Sequence, residues 1–253
     1  MRKYNKQYQI ILDLSLYFFI MLLVFSCKTI SVQNKQHIQT TRNMTLGSVG
    51  IDENFIIEKT YTSIGTPNYF KPIKVNVLPV SFNNASYSGF MAANLSQRKD
   101  IKINYHDSLD TKPSFLSLEI ADKITLIELL NHKENLEIKN FMLNDNNTHL
   151  ITGISIVFDS EIYNILVDAQ EVFIEGSGIN NIVLKTYKDS KHEKTIYFNQ
   201  GVVFSYRSAF ICWRENSKYQ LEIAGLAEAD NGCSKLSYKS SKRAKKDINY
   251  YKF

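Results

Sequence analysis

Hydrophobic and polar positions along the chain fall into three successive patterns. Residues 10–25 are almost continuously apolar, interrupted only by Asp13 and Ser15. From Asn54 onward the period is two. Asn54–Tyr61 is rich in Phe, Ile and Tyr, and Ile73, Val75 and Val77 alternate with Lys74, Asn76 and Leu78. Ile101–Tyr105 and Phe115–Ile120 repeat the alternation, which predicts half-buried strands. The four prolines, Pro67, Pro72, Pro79 and Pro113, lie at or near the ends of these runs, where a missing ladder donor is tolerated. Between Asp122 and Leu143 the period lengthens. Ile124, Ile127 and Leu130 recur at three-residue steps, Leu126 and Leu129 widen the face, and Asp122 can cap the first turn. Asn131–Asn135 interrupts this helix, Ile138, Phe141 and Met142 begin a second piece, and Asn144–Asn147 stops it.

The second half is predicted to be nearly all strand. Runs at 151–158, 161–169, 171–175, 181–188, 194–199, 202–213 and 219–226 are punctuated by Gly176-Ser177-Gly178, Asp189–His192 and Asn216-Ser217. The expected fold is therefore mainly β, an antiparallel sandwich or barrel-like body with a short helical insert at about 122–143. Residues 28–50 show no sustained period and are rich in Gln, Asn, Thr and Ser, which reads as a flexible tether. The organisation expected is 1–26 as a signal peptide, 27–50 as a modified cysteine and tether, 51–234 as a mainly β body, and 235–253 as a basic tail. No internal repeat is present.

Composition adds a tilt toward β structure through 15 Tyr and 15 Phe, and 10 Gly argues against a low-complexity chain. The net charge of +5 is unevenly placed. Arg2, Lys3 and Lys6 outnumber Asp13 at the front, and seven basic residues from Lys235 to Lys252 face only Asp247 at the back. The body between them is mildly acidic and carries no nucleic-acid signature, so a nucleic-acid partner is not expected.

The first 26 residues combine a positive start, an apolar stretch and an abrupt polar end, the tripartite layout of a secretory signal. The apolar stretch is short of the roughly 20 residues that span a bilayer. Val24-Phe25-Ser26-Cys27 resembles the lipobox of bacterial lipoproteins, with Ser26 and Cys27 matching and Phe25 standing where a small residue is usual. The resemblance implies that Cys27 receives a diacylglyceryl group and becomes the anchor. Lys28 stands where an aspartate would hold some lipoproteins at the inner membrane, so the resemblance implies the outer membrane.

With Cys27 so assigned, Cys212 and Cys233 form a pair, and an exported chain meets an oxidising compartment. The turn Asp230-Asn231-Gly232 can bring them together into a disulfide, and two cysteines alone make a poor metal site. Asp230-Asn231-Gly232 lacks the other ligands of a calcium loop.

Other candidates for chemistry are weaker. Ser96-Gln97-Arg98-Lys99 has the Ser-x-x-Lys spacing of penicillin-recognising serine enzymes, but reads as a loop and lacks the Lys-Thr-Gly strand. His106-Asp107 suits a polar strand end. Asp159 with Glu161, and Glu171 with Glu175, could pair as in glycosidases but equally suit the outer face of strands. Phe204, Tyr206 and Phe210 share even positions, as a core face does, and Trp213 adjoins Cys212. No catalytic, cofactor or metal constellation stands out.

The expectation is a lipid-anchored envelope protein acting by binding or assembly, with an envelope protein or a glycan as partner. The alternatives are a glycan- or peptidoglycan-directed hydrolase and a glycan-binding surface module.

Overall fold

The computed structural model describes residues 29–54, 59–176, 181–228 and 231–246. The signal segment and Cys27 lie outside them. Along the chain come β1 (Thr29–Val32), β2 (Lys35–Gln39), β3 (Val49–Asn54), β4 (Lys59–Gly65), β5 (Ile73–Ser81), α1 (Asn84–Ser96) and β6 (Ser114–Ile120). Then follow α2 (Lys123–Asn131), α3 (Leu136–Asn144), β7 (Thr148–Val157), α4 (Ser160–Asp168), β8 (Glu171–Gly176), β9 (Ile182–Lys188) and β10 (Lys191–Tyr197). The long strand β11 (Val202–Glu215), β12 (Leu221–Glu228) and the short helix α5 (Ser241–Lys246) complete the order.

The strands join one open antiparallel sheet in the order β1-β2-β11-β7-β6-β5-β8-β9-β10. It forks at its centre. β12 pairs with the distal half of β11, and β3, itself paired with β4, pairs with the first residues of β7. The mainly β, antiparallel expectation holds, and so does the helical insert, which is α2 and α3. Asp122 accepts from the Thr125 amide as its cap.

Two cores lie on opposite faces. The larger takes Leu116, Leu118, Ile154 and Ile156 from the sheet and Leu126, Leu129 and Leu130 from α2. The smaller is aromatic: Phe82 touches the rings of Tyr87, Phe90, Tyr105, Phe115 and Phe204 beneath α1. A bulge between Val203 and Ser205 decides which residue goes where. It puts Phe204 in the aromatic core and Tyr206 in the larger one, so these two even positions do not share a face.

Several expectations need correction. From Thr29 the supposed tether is part of the sheet: Ile30, Val32, Met44, Leu46 and Val49 are buried, and Gln33 and Asn34 turn the β1–β2 hairpin with φ of 50° and 63°. That two-residue turn with both φ positive matches strand twist. Its polar composition hid the few apolar anchors that suffice. Where a strand was expected over 161–169, residues 160–168 form helix α4. Asp159 caps it by accepting from the Ile162 amide, and Ile162 and Leu166 bury one face. Ser96 ends a helix rather than sitting in a loop, and 101–105 is irregular. The buried face of α1 is Ser86, Gly89, Phe90 and Ala93, too small-sided to show a helical period. The basic tail is docked as far as α5, where Ala244 is buried and Ser241 donates to the Leu143 carbonyl at 2.7 Å.

Candidate functional site

The aromatic core occupies one end of its sheet face, and the other end is polar. Ser205 on β11 pairs with Ser155 on β7, which pairs with Ser117 on β6, so three serines form one cross-strand row. The adjacent row is Arg207, Gly153 and Glu119. A Cβ built on Gly153 would lie 3.6 Å from both Arg207 and Glu119 side chains, so these two charges meet across the glycine. Arg207 Nη2 lies 3.2 Å from Glu119 Oε2, and Arg207 Nη1 lies 3.6 Å from Glu228 Oε2.

The β1–β2 hairpin supplies the rest. Lys35 Nζ donates to Glu119 Oε2 at 2.6 Å. His37 is fully buried, with Nδ1 at 3.4 Å from both Ser155 Oγ and Ser205 Oγ. His37 Nε2, Ser117 Oγ and Arg207 Nε are buried with no hydrogen-bonding partner among the described residues.

Burial first, and the Arg207 charge second, lower His37 to about 4, so it is neutral at pH 7. Burial alone would raise the Glu119 carboxyl. The Lys35 hydrogen bond and the charges of Arg207 and Lys35 outweigh it and hold that carboxyl below its ordinary value. Glu119 is therefore a buried carboxylate shared by two cations.

The geometry does not make a nucleophile and base. A base must hold its serine at roughly 2.6–3.2 Å with room for a substrate, whereas His37 sits 3.4 Å from two serines and has no exposed surface. Nor does Glu119 hydrogen-bond the imidazole among the described residues; its partners are Lys35 and Arg207. The cluster is an ion network that fixes the hairpin against the sheet. Sequence reading missed it because Glu119 and Lys35 alternate like solvent-facing residues. Its visible signal was Arg207 inside the long apolar run 202–213.

The other candidates occupy structural posts. Lys99 donates to the Asn199 carbonyl at 2.6 Å, away from any role as a base for Ser96. Asp107 accepts from Lys112 at 2.7 Å and from Tyr105 at 3.1 Å. Asp159 caps α4, Glu161 faces Lys194 at 3.3 Å, and Glu171 accepts from Lys74 at 2.9 Å. Glu175 accepts from Lys185 at 2.6 Å and Tyr187 at 2.8 Å, which pushes the Tyr187 phenol up to about 12, with burial the larger cause. Tyr206 and Trp213 are buried in the larger core and Phe204 in the aromatic one. Phe210 is only partly covered, with Lys239 Nζ 4.6 Å above its ring.

Cys212 and Cys233 are joined, with an S–S distance of 2.04 Å. The backbone bridge between Trp213 and Tyr238 lies just beyond, so the bond helps hold the chain leading to α5 against β11. Among the described residues no three His, Cys, Asp or Glu side chains converge as metal ligands, and no helix is long and apolar enough to cross a membrane.

Fold and cluster together define a mainly β chain built on one forked antiparallel sheet, closed on one face by a buried ion network. Among known proteins, no family model matches the chain, no curated protein matches it, and no solved structure matches it.

Proposed function

We propose that the mature chain is a bacterial envelope protein anchored through lipid on Cys27, at the outer membrane, and that it works by binding or assembly. The observation that carries the reading is the junction between signal and fold. The lipobox-like Val24-Phe25-Ser26-Cys27 is followed by Lys28 alone before β1 begins at Thr29. Two residues reach about 7 Å, so an acylated Cys27 holds the β1–β2 edge of the sheet close to the headgroups. Each acyl chain contributes about 0.8 kcal/mol per buried methylene, and two or three chains anchor firmly.

Two further features support it. The Cys212–Cys233 bond suits an exported protein. The carboxylates that a hydrolase would need, Asp159, Glu161, Glu171 and Glu175, each hold a helix cap or an ion pair. Binding to an envelope protein, or to a glycan, therefore fits the side chains better than hydrolysis does.

The test has two stages. Growth with a labelled fatty acid should label the wild-type chain and leave Cys27→Ser unlabelled and released from the membrane. Brief cross-linking followed by affinity recovery from mildly solubilised envelopes should then bring down a stoichiometric protein partner. A Cys27→Ser chain that stays labelled would overturn the anchor. Recovery of the protein alone would overturn assembly with another protein and leave the glycan.

A further inference from the structure

Strand β12 ends at Glu228, and the disulfide fixes Cys233 to β11, so the main chain between them is tied at both ends. Within that span stands Asn231-Gly232, the only asparagine in the sequence followed by glycine. An asparagine side chain places its amide carbon, Cγ, within reach of the next residue's backbone nitrogen, and the two can close a five-membered ring. Closure is hindered by a side chain on that next residue, or by a fold that holds the carboxamide in place.

Neither obstacle stands at Asn231. A Cβ built on Gly232 would meet nothing within 4 Å, so the space beside its nitrogen is open. Both residues are exposed to water. The Asn231 amide donates to the Glu228 carbonyl at 2.9 Å, which engages neither the Asn231 side chain nor the Gly232 nitrogen. Asn216-Ser217 is the contrast. The Asn216 Oδ1 accepts from the Lys218 and Gln220 amides at 2.9 and 3.0 Å, and its own amide donates to the Gln220 carbonyl at 2.9 Å. That turn holds the Asn216 carboxamide away from the Ser217 nitrogen.

We infer that Asn231 is a site of spontaneous modification, at which the Gly232 nitrogen displaces ammonia and water then leaves aspartate or isoaspartate. Hydroxide removes the Gly232 N–H proton, the nitrogen bonds to Cγ, and the Cγ–Nδ2 bond breaks as ammonia departs. Water opens the resulting succinimide. Attack at Cγ restores the backbone with an aspartate, and attack at the backbone carbonyl carbon routes the main chain through Cβ as isoaspartate. Either product carries a new carboxylate, which lowers the net charge of +5 by one. The charge enters just before 233–246, whose charged residues are all basic. Isoaspartate also adds one carbon to a main chain tied at Glu228 and Cys233.

Prolonged incubation of the full chain at 37 °C and pH 8, followed by peptide mass spectrometry, tests this. The Asn231 peptide should gain the mass difference between an amide and an acid, while Asn216 keeps its amide. Gly232 lies outside the left-handed region and has open space around it, so Gly232→Ala should fold as wild type and convert about tenfold more slowly. A loop already open needs no unfolding step, so the folded chain should convert within about threefold of the guanidinium-unfolded chain. An unmodified Asn231, an Asn216 that converts as fast, or a Gly232→Ala chain that keeps the wild-type rate would overturn the inference. So would a folded chain that lags the unfolded one by more than that margin.

Discussion

Acidification should weaken the fold well before its carboxylates titrate, and His37 should be the cause. The imidazole is fully buried among Ser155 and Ser205, and the charged groups that bear on it are Arg207, Lys35 and Glu119. Burial is the largest influence, Arg207 and Lys35 act with it, and Glu119 opposes. The folded value of about 4 lies below the ordinary 6.5. Between these two values the unfolded chain binds a proton that the folded chain does not. Stability from this group is therefore complete above pH 6.5 and declines as the pH falls toward 4. At 1.36 kcal/mol per unit, the full decline is about 3 kcal/mol, a large share of the 5–15 kcal/mol of a typical domain. Glu119, held below its ordinary range, adds its own loss only at lower pH, where carboxylates protonate. Urea unfolding between pH 7 and 4.5, followed through the lone and buried Trp213, measures the slope. His37→Leu should flatten the profile above pH 4.5, whatever it does to stability at pH 7. A wild-type curve that is level from pH 7 to 5, or a His37→Leu curve just as steep, would refute the reasoning.

Three other expectations follow from the same structure. Glu119→Ala leaves Arg207 and Lys35 around a missing carboxylate and should cost about 3–5 kcal/mol in denaturant unfolding, most of it recovered in Glu119→Leu/Arg207→Met. Gly50→Ala would place a Cβ 2.3 Å from the Thr62 carbonyl oxygen and should cost about 2 kcal/mol, whereas Gly225→Ala meets nothing within 4 Å and should unfold at the wild-type midpoint. Reducing Cys212–Cys233 opens a loop with a sequence separation of 21 and should lower stability by about 3 kcal/mol, read as a shifted urea midpoint with and without reductant.

Strands were legible where one face is buried and the other wet. Lys74 and Asn76 alternate with buried Ile73 and Val75 in β5, and the pattern is visible without a structure. The helices divide by what their buried faces are made of. α2 buries Leu126, Leu129 and Leu130 and can be seen at once, while α1 buries Ser86, Gly89 and Ala93 around a single Phe90. In α4 the run Ile162-Tyr163-Asn164-Ile165-Leu166-Val167 consists mostly of strand-favouring residues, and the Asp159 cap and tertiary packing override that preference. The disulfide was legible because one Cys was assigned elsewhere and two remained. The ion network was not. Glu119 alternates in step with Ser117 and so resembles an outer face, and only the β1–β2 hairpin folding over that face buries it.

That hairpin also explains why charge is buried here at all. β2 pairs with β11 at only two positions, Ser205 with Gln39 and Tyr206 with Ile38, and the Thr40 amide adds one bond to Phe204. So short a ladder fixes register poorly, and a slip of one residue would turn every side chain of the hairpin to the opposite face. In the observed register Ile30 and Val32 enter the aromatic core, Lys35 reaches Glu119, and His37 reaches two serines. A slipped hairpin would withdraw Lys35 from Glu119 and lay apolar side chains over the Arg207–Glu119 pair, which adds a desolvation cost without the hydrogen bond that offsets it. An apolar patch would have tolerated the slip; the ion pair does not. The same hairpin begins two residues after Cys27, so under the proposed anchoring its register is what fixes the angle at which the sheet meets the membrane.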